Sequence, residues 1–172
     1  MTRATSLLAA LVLAVSCSSP PMKPVVAPGQ VVVAGDTTFR TLDNGAIEVS
    51  VKRSLQAHDA TGTATLHGLT LDEAQHSSLV HVAAGRAWLA IAAALASDPA
   101  AAYEAAQRGI ADVGTDYRGA KGHHIMDDSG NTIVLAKVAA EQRDRAGAAQ
   151  TLTKVLGDRV ALYLRAFAGA VE

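Results

Sequence analysis

The stretch TLDEAQHSSLVHVAAGRAWLAIAAALASD, which covers residues 70–98, decides the fold of this 172-residue chain. Thr70 and Glu73 form the Thr-x-x-Glu pattern of a capping box at a helix start. Asp98 can cap a second helix that has Pro99 at its first position. The sequence therefore predicts one long helix between these two signals.

Apolar side chains recur on two sides of this predicted helix. A helix that is apolar on two sides is usually buried between neighbouring elements. We therefore expect a central helix that carries Trp88, the single tryptophan of the chain, into the core. At about 100° per residue, the first side consists of Val80, Ala84, Trp88, Ile91 and Leu95. The second side consists of Leu71, Val82, Leu89 and Ala93.

Three further helices are predicted towards the end of the chain. One follows Pro99 and ends at Gly114, because glycine suits the backbone conformation at a helix end. Another covers 131–143. The last begins after Asp144 and passes Gly157. Two alternatives are open there: the glycine kinks or splits the helix, or the helix stays intact at a cost of about 1 kcal/mol relative to alanine. Their expected apolar stripes are Tyr103, Ala106, Ile110 and Val113; Val134, Leu135, Val138 and Ala139; and Leu152, Leu156, Val160, Tyr163 and Phe167.

Residues 31–69 show the shorter alternation of strands. Asn44-Gly45 between two extended runs is a strong hairpin signal. A third strand is expected over 61–66, after a polar loop at 56–60. Because an isolated hairpin is marginally stable in water, we expect this region either to pack on the helices or to remain mobile.

Small and apolar residues near the third and fourth helices resemble the pattern of tetratricopeptide helical hairpins. That resemblance implies stacked α-hairpins. We favour a plain helical bundle of stacked hairpins over a true repeat domain, since no 34-residue period recurs cleanly. We therefore expect a mainly α protein: a small bundle of α-hairpins over 70–172, preceded by a short β-hairpin or meander. The resemblance rests on Leu135, Ala136, Asp144, Ala148, Ala149, Leu152 and Val155.

Composition excludes some classes of partner. Hydrophobic residues make up 49% of the chain, but aromatic residues only 3%. The formal net charge is −1 and the isoelectric point is near 6.6. Nucleic-acid binding needs a clustered positive field, so we expect no nucleic-acid partner.

The first residues of the chain have the shape of a secretory signal. Arg3 precedes an apolar run over 7–15 that is too short to span a bilayer. The run leads into Leu13-Ala14-Val15-Ser16-Cys17, which resembles a bacterial lipobox. The resemblance implies acyl chains on Cys17, and Ser18 after it favours the outer membrane. An ordinary signal peptide cut nearby is the alternative.

A proline-rich stretch follows the cysteine. Residues 17–30 contain four prolines, which disfavour helix and sheet and indicate an extended tether. The expected organisation is a signal peptide over 1–16, the lipidated Cys17 and its tether over 17–30, a small β region over 31–69 and a helical domain over 70–172. The protein is then expected on the periplasmic face of the outer membrane, held there by its lipid.

The clearest cluster of chemical groups lies in the polar loop 115–130. His123, His124, Asp127 and Asp128 carry imidazole and carboxylate groups, which are common metal ligands. Alternatively, an aspartate of the pair caps the next helix and the histidines face solvent.

No serine-nucleophile elbow, HExxH pair or dinucleotide-binding turn occurs in the sequence. We therefore expect no enzyme activity and no cofactor. The first hypothesis is a lipid-anchored envelope protein that binds another envelope protein through the loop 115–128 and the polar side of the second helix. The alternative is a periplasmic metal or small-ligand binder that uses His123, His124, Asp127 and Asp128.

Overall fold

The computed structural model describes residues 27–114, 116–118, 124–126 and 129–166. The elements in chain order are β1 (Val31–Ala34), β2 (Thr37–Thr41), β3 (Ile47–Leu55), β4 (His58–Leu66), α1 (Leu71–His76), α2 (Leu79–Ala94), α3 (Pro99–Val113), β5 (Asp116–Arg118), β6 (His124–Met126), α4 (Gly130–Glu141) and α5 (Arg145–Ala166). The expectation of a mainly α bundle is therefore wrong, because the described chain is a mixed α/β structure.

Strands β1 to β4 form one antiparallel meander in chain order. The predicted hairpin is confirmed: Thr41 pairs with Ile47 across the Asn44-Gly45 turn, where the side-chain oxygen of Asn44 accepts a hydrogen bond from the backbone N–H of Ala46 at 3.0 Å. Strands β3 and β4 are longer than the sequence suggested. The predicted loop 56–60 is mostly strand, because Leu55 pairs with His58 and only two residues form the turn.

One face of this sheet is a layer of the core. The side chains that point inward are buried at alternate positions, as a strand with one covered face requires. They contact helix α2, so the sheet and the helices share one core. That contact is the physical reason why the fold is mixed. The buried inward residues are Phe39, Ile47, Val49, Val51, Leu55, Ala64 and Leu66.

The central helix begins as predicted and then breaks. Thr70 accepts a hydrogen bond from the N–H of Glu73 at 3.2 Å, and the Glu73 carboxylate accepts one from the N–H of Thr70 at 2.7 Å, so the capping box is present. The prediction of one continuous helix is wrong. Ser77 has an extended backbone and its hydroxyl accepts a hydrogen bond from the N–H of Leu79. A serine side chain that competes for backbone groups in this way favours a new helix start.

Helix α2 occupies the centre of the molecule. It packs on β3 and β4 on one side and on α3 and α5 on the other. Trp88 is 2% exposed, and its indole N–H donates to the carboxylate of Asp112. Gly109 of α3 lies where a β-carbon would come within 2.7 Å of the Trp88 β-carbon. Small residues therefore let the helices approach closely around one large aromatic side chain.

Helices α3 and α5 complete the core. Asp98 caps α3 by accepting from the N–H groups of Ala100 and Ala101, with Pro99 at the first helical position. Gly114 follows the last turn of α3 with a φ of +75°. Helix α5 runs unbroken past Gly157, so the helix is not split there. Phe167, the last member of the predicted stripe, lies outside the described residues; the buried members are Leu152, Leu156, Val160 and Tyr163.

Helix α4 forms the outermost layer. It packs on α5, which in turn packs on α2 and α3. The order of layers is therefore the sheet, α2, the pair α3 and α5, and finally α4. Among the described elements, α5 is the one on which α4 packs most closely.

Candidate interaction surface

Three large apolar side chains of α4 are exposed. Val134 is 58% exposed, Leu135 69% and Val138 42%. The sequence predicted these side chains as the buried stripe of the third helix, and that prediction is wrong. We call the three residues the α4 face.

The opposite side of α4 explains their exposure. Ala136 is buried against α5, and Ile133 and Ala140 are partly buried beside it. The small alanine lets the two helices approach, and the larger residues are rotated away from the contact. Helix α4 is thus apolar on both sides, which is typical of a helix covered on both sides.

The chemistry of the α4 face suits packing and not catalysis. Its three side chains carry no polar atoms, and Lys137 and Glu141 are exposed on the same helix. Contiguous exposed apolar side chains with polar residues around them mark surfaces that bind proteins or membranes. The arrangement can therefore form the apolar centre of an interface.

A buried arginine fixes the position at which α4 begins. Arg159 of α5 is 2% exposed. One of its terminal nitrogens donates to the backbone carbonyl of Ile110 at 2.9 Å, and the other donates to the hydroxyl of Ser129 at 3.0 Å. The guanidinium therefore joins three helices: the end of α3, the start of α4 and the body of α5.

A groove of about 1060 Å³ runs along α5 beside this arginine. Lys154 and Arg165 give it positive charge, and Asp158 forms an ion pair with Lys154. Ser129, the residue that precedes α4, also lines the groove. Such a groove can hold a small polar ligand.

The structure does not test whether the residues predicted to bind a metal come together. His123, Asp127 and Asp128 lie outside the described residues, and His124 is described only as backbone in β6, which pairs with β5. Within the described ranges, no group of three or more His, Cys, Asp or Glu side chains could hold a metal ion. The metal hypothesis thus stays a prediction.

The predicted lipidation site also lies outside the described residues, since these begin at residue 27. Among the helices that the structure describes, none is both long and apolar enough to cross a bilayer. The acylation of Cys17 thus stays a prediction from the motif.

The carboxylate of Asp98 has a structural role. The backbone N–H of Ala101 and then the imidazole of His58 hold the pKa of Asp98 below its ordinary value of 3.8, because each hydrogen bond favours the charged form. The His58 ring nitrogen lies 2.9 Å from the carboxylate. Asp98 thereby joins the first residue of β4 to the start of α3.

Sequence reasoning missed both Arg159 and the exposure of the α4 face. Arg159 interrupts the apolar line of α5 between Leu156 and Tyr163. A charged residue at such a position indicates a buried side chain that hydrogen-bonds to neighbouring elements. No comparable signal existed for α4, because both of its sides are apolar. Comparison with family models, curated proteins and solved structures finds no match to this chain.

Proposed function

We propose that this chain is a lipid-anchored protein of the bacterial cell envelope that binds another protein through the α4 face. The signal-like residues 1–16, the lipobox ending in Cys17 and the proline-rich tether support the anchor. Acyl chains on Cys17 would hold the protein firmly, since two or more chains bind a bilayer far better than one.

The observation that carries the protein-binding part is the exposure of the α4 face. Leu135 is the most exposed of its three residues, at 69%. Interfaces concentrate their binding energy in a few apolar side chains that become fully buried, surrounded by a polar rim. Lys137 and Glu141 supply such a rim on the same helix.

The helical form of the face indicates the shape of the partner. Val134, Leu135 and Val138 are spaced as neighbours on one helix surface. Helices recognised in this way lay their apolar side into a hydrophobic groove. We therefore expect the partner to offer an apolar groove with charged residues opposite Lys137 and Glu141.

Photo-crosslinking tests this proposal. A photoreactive phenylalanine replaces Leu135 in one sample and Lys154 in another, both in the full-length anchored chain. Lys154 is the matched control, because its side chain is 77% exposed on the neighbouring helix. The same partner band should form from position 135, be absent from position 154 and disappear when Val138→Asp is added.

Three outcomes would contradict the proposal. Equal crosslinking from both positions would show that the α4 face is not the contact. A band that survives Val138→Asp, in a chain whose melting temperature is unchanged, would show that the apolar centre is not needed. A purified chain whose mass shows no acyl groups on Cys17 would contradict the proposed lipid anchor.

A second candidate function is the binding of a small ligand in the groove along α5. The observation in its favour is the positive charge of Lys154 and Arg165 in a groove that begins at Ser129. Titrations with Zn²⁺ and, separately, with inorganic phosphate test it. Two variants are compared with the parent chain: the double variant His123→Ala/His124→Ala and the single variant Arg165→Ala. Loss of zinc binding in the double histidine variant supports a metal site. Loss of phosphate binding in Arg165→Ala supports an anion site. If the parent chain binds neither ion, this candidate function is wrong.

A further inference from the structure

The point at which the tether meets the folded domain is fixed. The carbonyl of Ala27 accepts a hydrogen bond from the Thr41 hydroxyl at 3.0 Å, and that hydroxyl accepts one from the N–H of Gln30 at 2.9 Å. The N–H of Gly29 donates to the Thr41 carbonyl at 2.9 Å. Thr41 is 4% exposed, so these bonds hold the incoming chain against the end of β2.

The stretch of chain between this point and Cys17 is short. Nine residues lie between Cys17 and Ala27. A fully extended chain of ten Cα–Cα steps spans at most about 36 Å, and a proline-rich one at about 3.1 Å per residue spans roughly 31 Å. A lipid on Cys17 would therefore hold Ala27 within about that distance of the bilayer, and the β1 side of the domain is the part next to this attachment point.

The outer face of the sheet is the surface at this side. Val31 and Val33 of β1 point to it and are 54% and 67% exposed. Val31 pairs with Arg40 and Val33 pairs with Thr38, whose side chains share the same face. Two exposed valines on an edge strand have no covering layer within the described part of the domain.

The remaining side chains of this face suit the headgroup region of a bilayer. Most of them carry hydroxyl groups. The ionisable ones balance, since Arg40 pairs with Glu48 and the charge of Lys52 is offset by Asp59. The hydroxyl-bearing residues are Thr38, Ser50, Ser54, Thr61, Thr63 and Thr65.

The α4 face lies at the other end of the stack of layers. Helix α2 and then α5 separate α4 from the sheet. Each layer adds about 10 Å, so the α4 face is about 30 Å from the sheet. The tether would have to run nearly fully extended past the whole domain to bring α4 onto the bilayer.

We propose that the outer face of the sheet rests on the bilayer surface, with Val31 and Val33 in its interfacial region and the α4 face directed away from the membrane. The inference depends on the lipid anchor of the proposed function. Two valines would bind a bilayer weakly in a free protein. Confinement by the tether gives the face a high effective concentration at the membrane, so weak contacts are enough.

Site-specific labelling of the acylated chain tests this orientation. Cys17 is the only cysteine, and its thiol carries the lipid, so one introduced cysteine is the only free thiol. Val33→Cys and Leu135→Cys are labelled separately with an environment-sensitive fluorophore and reconstituted in vesicles of phosphatidylethanolamine and phosphatidylglycerol. Lipids with a spin label near the headgroup should quench the label at position 33 several-fold more than the label at 135. Adding Val31→Asp should reduce the quenching at position 33.

The other possible results would overturn either the orientation or the anchor. Equal quenching at both positions, stronger quenching at 135, or quenching at 33 that Val31→Asp leaves unchanged would overturn the orientation. The intact mass of each sample is measured first, because a chain without acyl groups on Cys17 refutes the anchor itself. An acylated chain with a water-exposed label at 33 refutes only the orientation.

Discussion

Gly62 of β4 packs directly against the backbone of Ala87 in α2. A β-carbon at position 62 would lie 2.6 Å from the carbonyl carbon of Ala87 and 2.9 Å from the Ile91 side chain, and closer still to the Ala87 oxygen. Glycine is therefore what permits the sheet and the central helix to approach so closely. This contact joins the two parts that the sequence presented as separate regions.

Replacement of Gly62 by alanine should lower the free energy of unfolding by at least about 2 kcal/mol, because the backbone of α2 must move to relieve the overlap. Urea unfolding followed by circular dichroism measures the change. A variant as stable as the parent would show that the sheet and α2 are farther apart than described.

Gly157→Ala is the matched control, and it should stabilise the protein. Gly157 lies inside α5, and the nearest atom to an added β-carbon is a Leu89 methyl at 3.9 Å. Alanine there should raise the unfolding free energy by about 0.5–1 kcal/mol through its greater helix propensity. Destabilisation would mean that α5 is bent at this glycine.

Trp88→Ala should cost about 3–5 kcal/mol, because it removes the largest side chain of the core. Trp88 is 2% exposed and is the only tryptophan, so its fluorescence emission reports unfolding directly in the parent chain. Trp88→Phe keeps most of the packing but loses the hydrogen bond to Asp112, and it should cost less. If Trp88→Ala and Trp88→Phe lower the free energy of unfolding equally, Trp88 does not stabilise the core mainly through packing.

Leu135→Ala and Leu152→Ala should differ sharply in their effects on stability. Leu135 is 69% exposed and Leu152 is fully buried. The first substitution should change the unfolding free energy by less than about 0.5 kcal/mol, and the second should lower it by about 2–5 kcal/mol. If Leu135→Ala is as costly as Leu152→Ala, α4 is rotated and the α4 face is part of the core.

The stability contributed by Asp98 should depend on pH. Its pKa is lowered in the folded state, so its contribution is fully present above the unfolded value of about 3.8 and is lost as the pH falls through the lower folded pKa. Asp98→Asn keeps a capping side chain without the charge. Thermal unfolding should show the parent chain more stable than this variant near neutral pH and the difference shrinking at acidic pH; a difference independent of pH would contradict the role assigned to the charge.

Arg159→Met should lower the free energy of unfolding by about 1.5–3 kcal/mol, since a charged donor to Ile110 and Ser129 is lost. A double-mutant cycle with Ser129→Ala isolates the bond that fixes α4. A coupling energy of about 0.5 kcal/mol or more is expected, and additive effects would show that the bond contributes no stability.

Local signals in the sequence were reliable where neighbouring residues alone decide the structure. The capping box at Thr70, the Asn44-Gly45 turn and the cap at Asp98 all depend on hydrogen bonds between residues close in the chain. The break at Ser77 was missed because a serine inside an apolar pattern does not by itself reveal which backbone group its hydroxyl will bond. The length of β3 and β4 was underestimated because strand pairing extends polar residues that have little preference of their own.

The sequence by itself determined the order of most helices and strands, the burial of Trp88 and the expectation of a lipid on Cys17, since each depends on a local pattern of residue types. Only the tertiary structure decided that the sheet is a full layer of the core, because that requires Gly62 to meet Ala87 across 24 residues of intervening chain. It also decided which side of α4 is covered. Val134, Leu135 and Val138 are as apolar as the buried side, and the side that packs is selected by how closely Ala136 lets α4 approach α5.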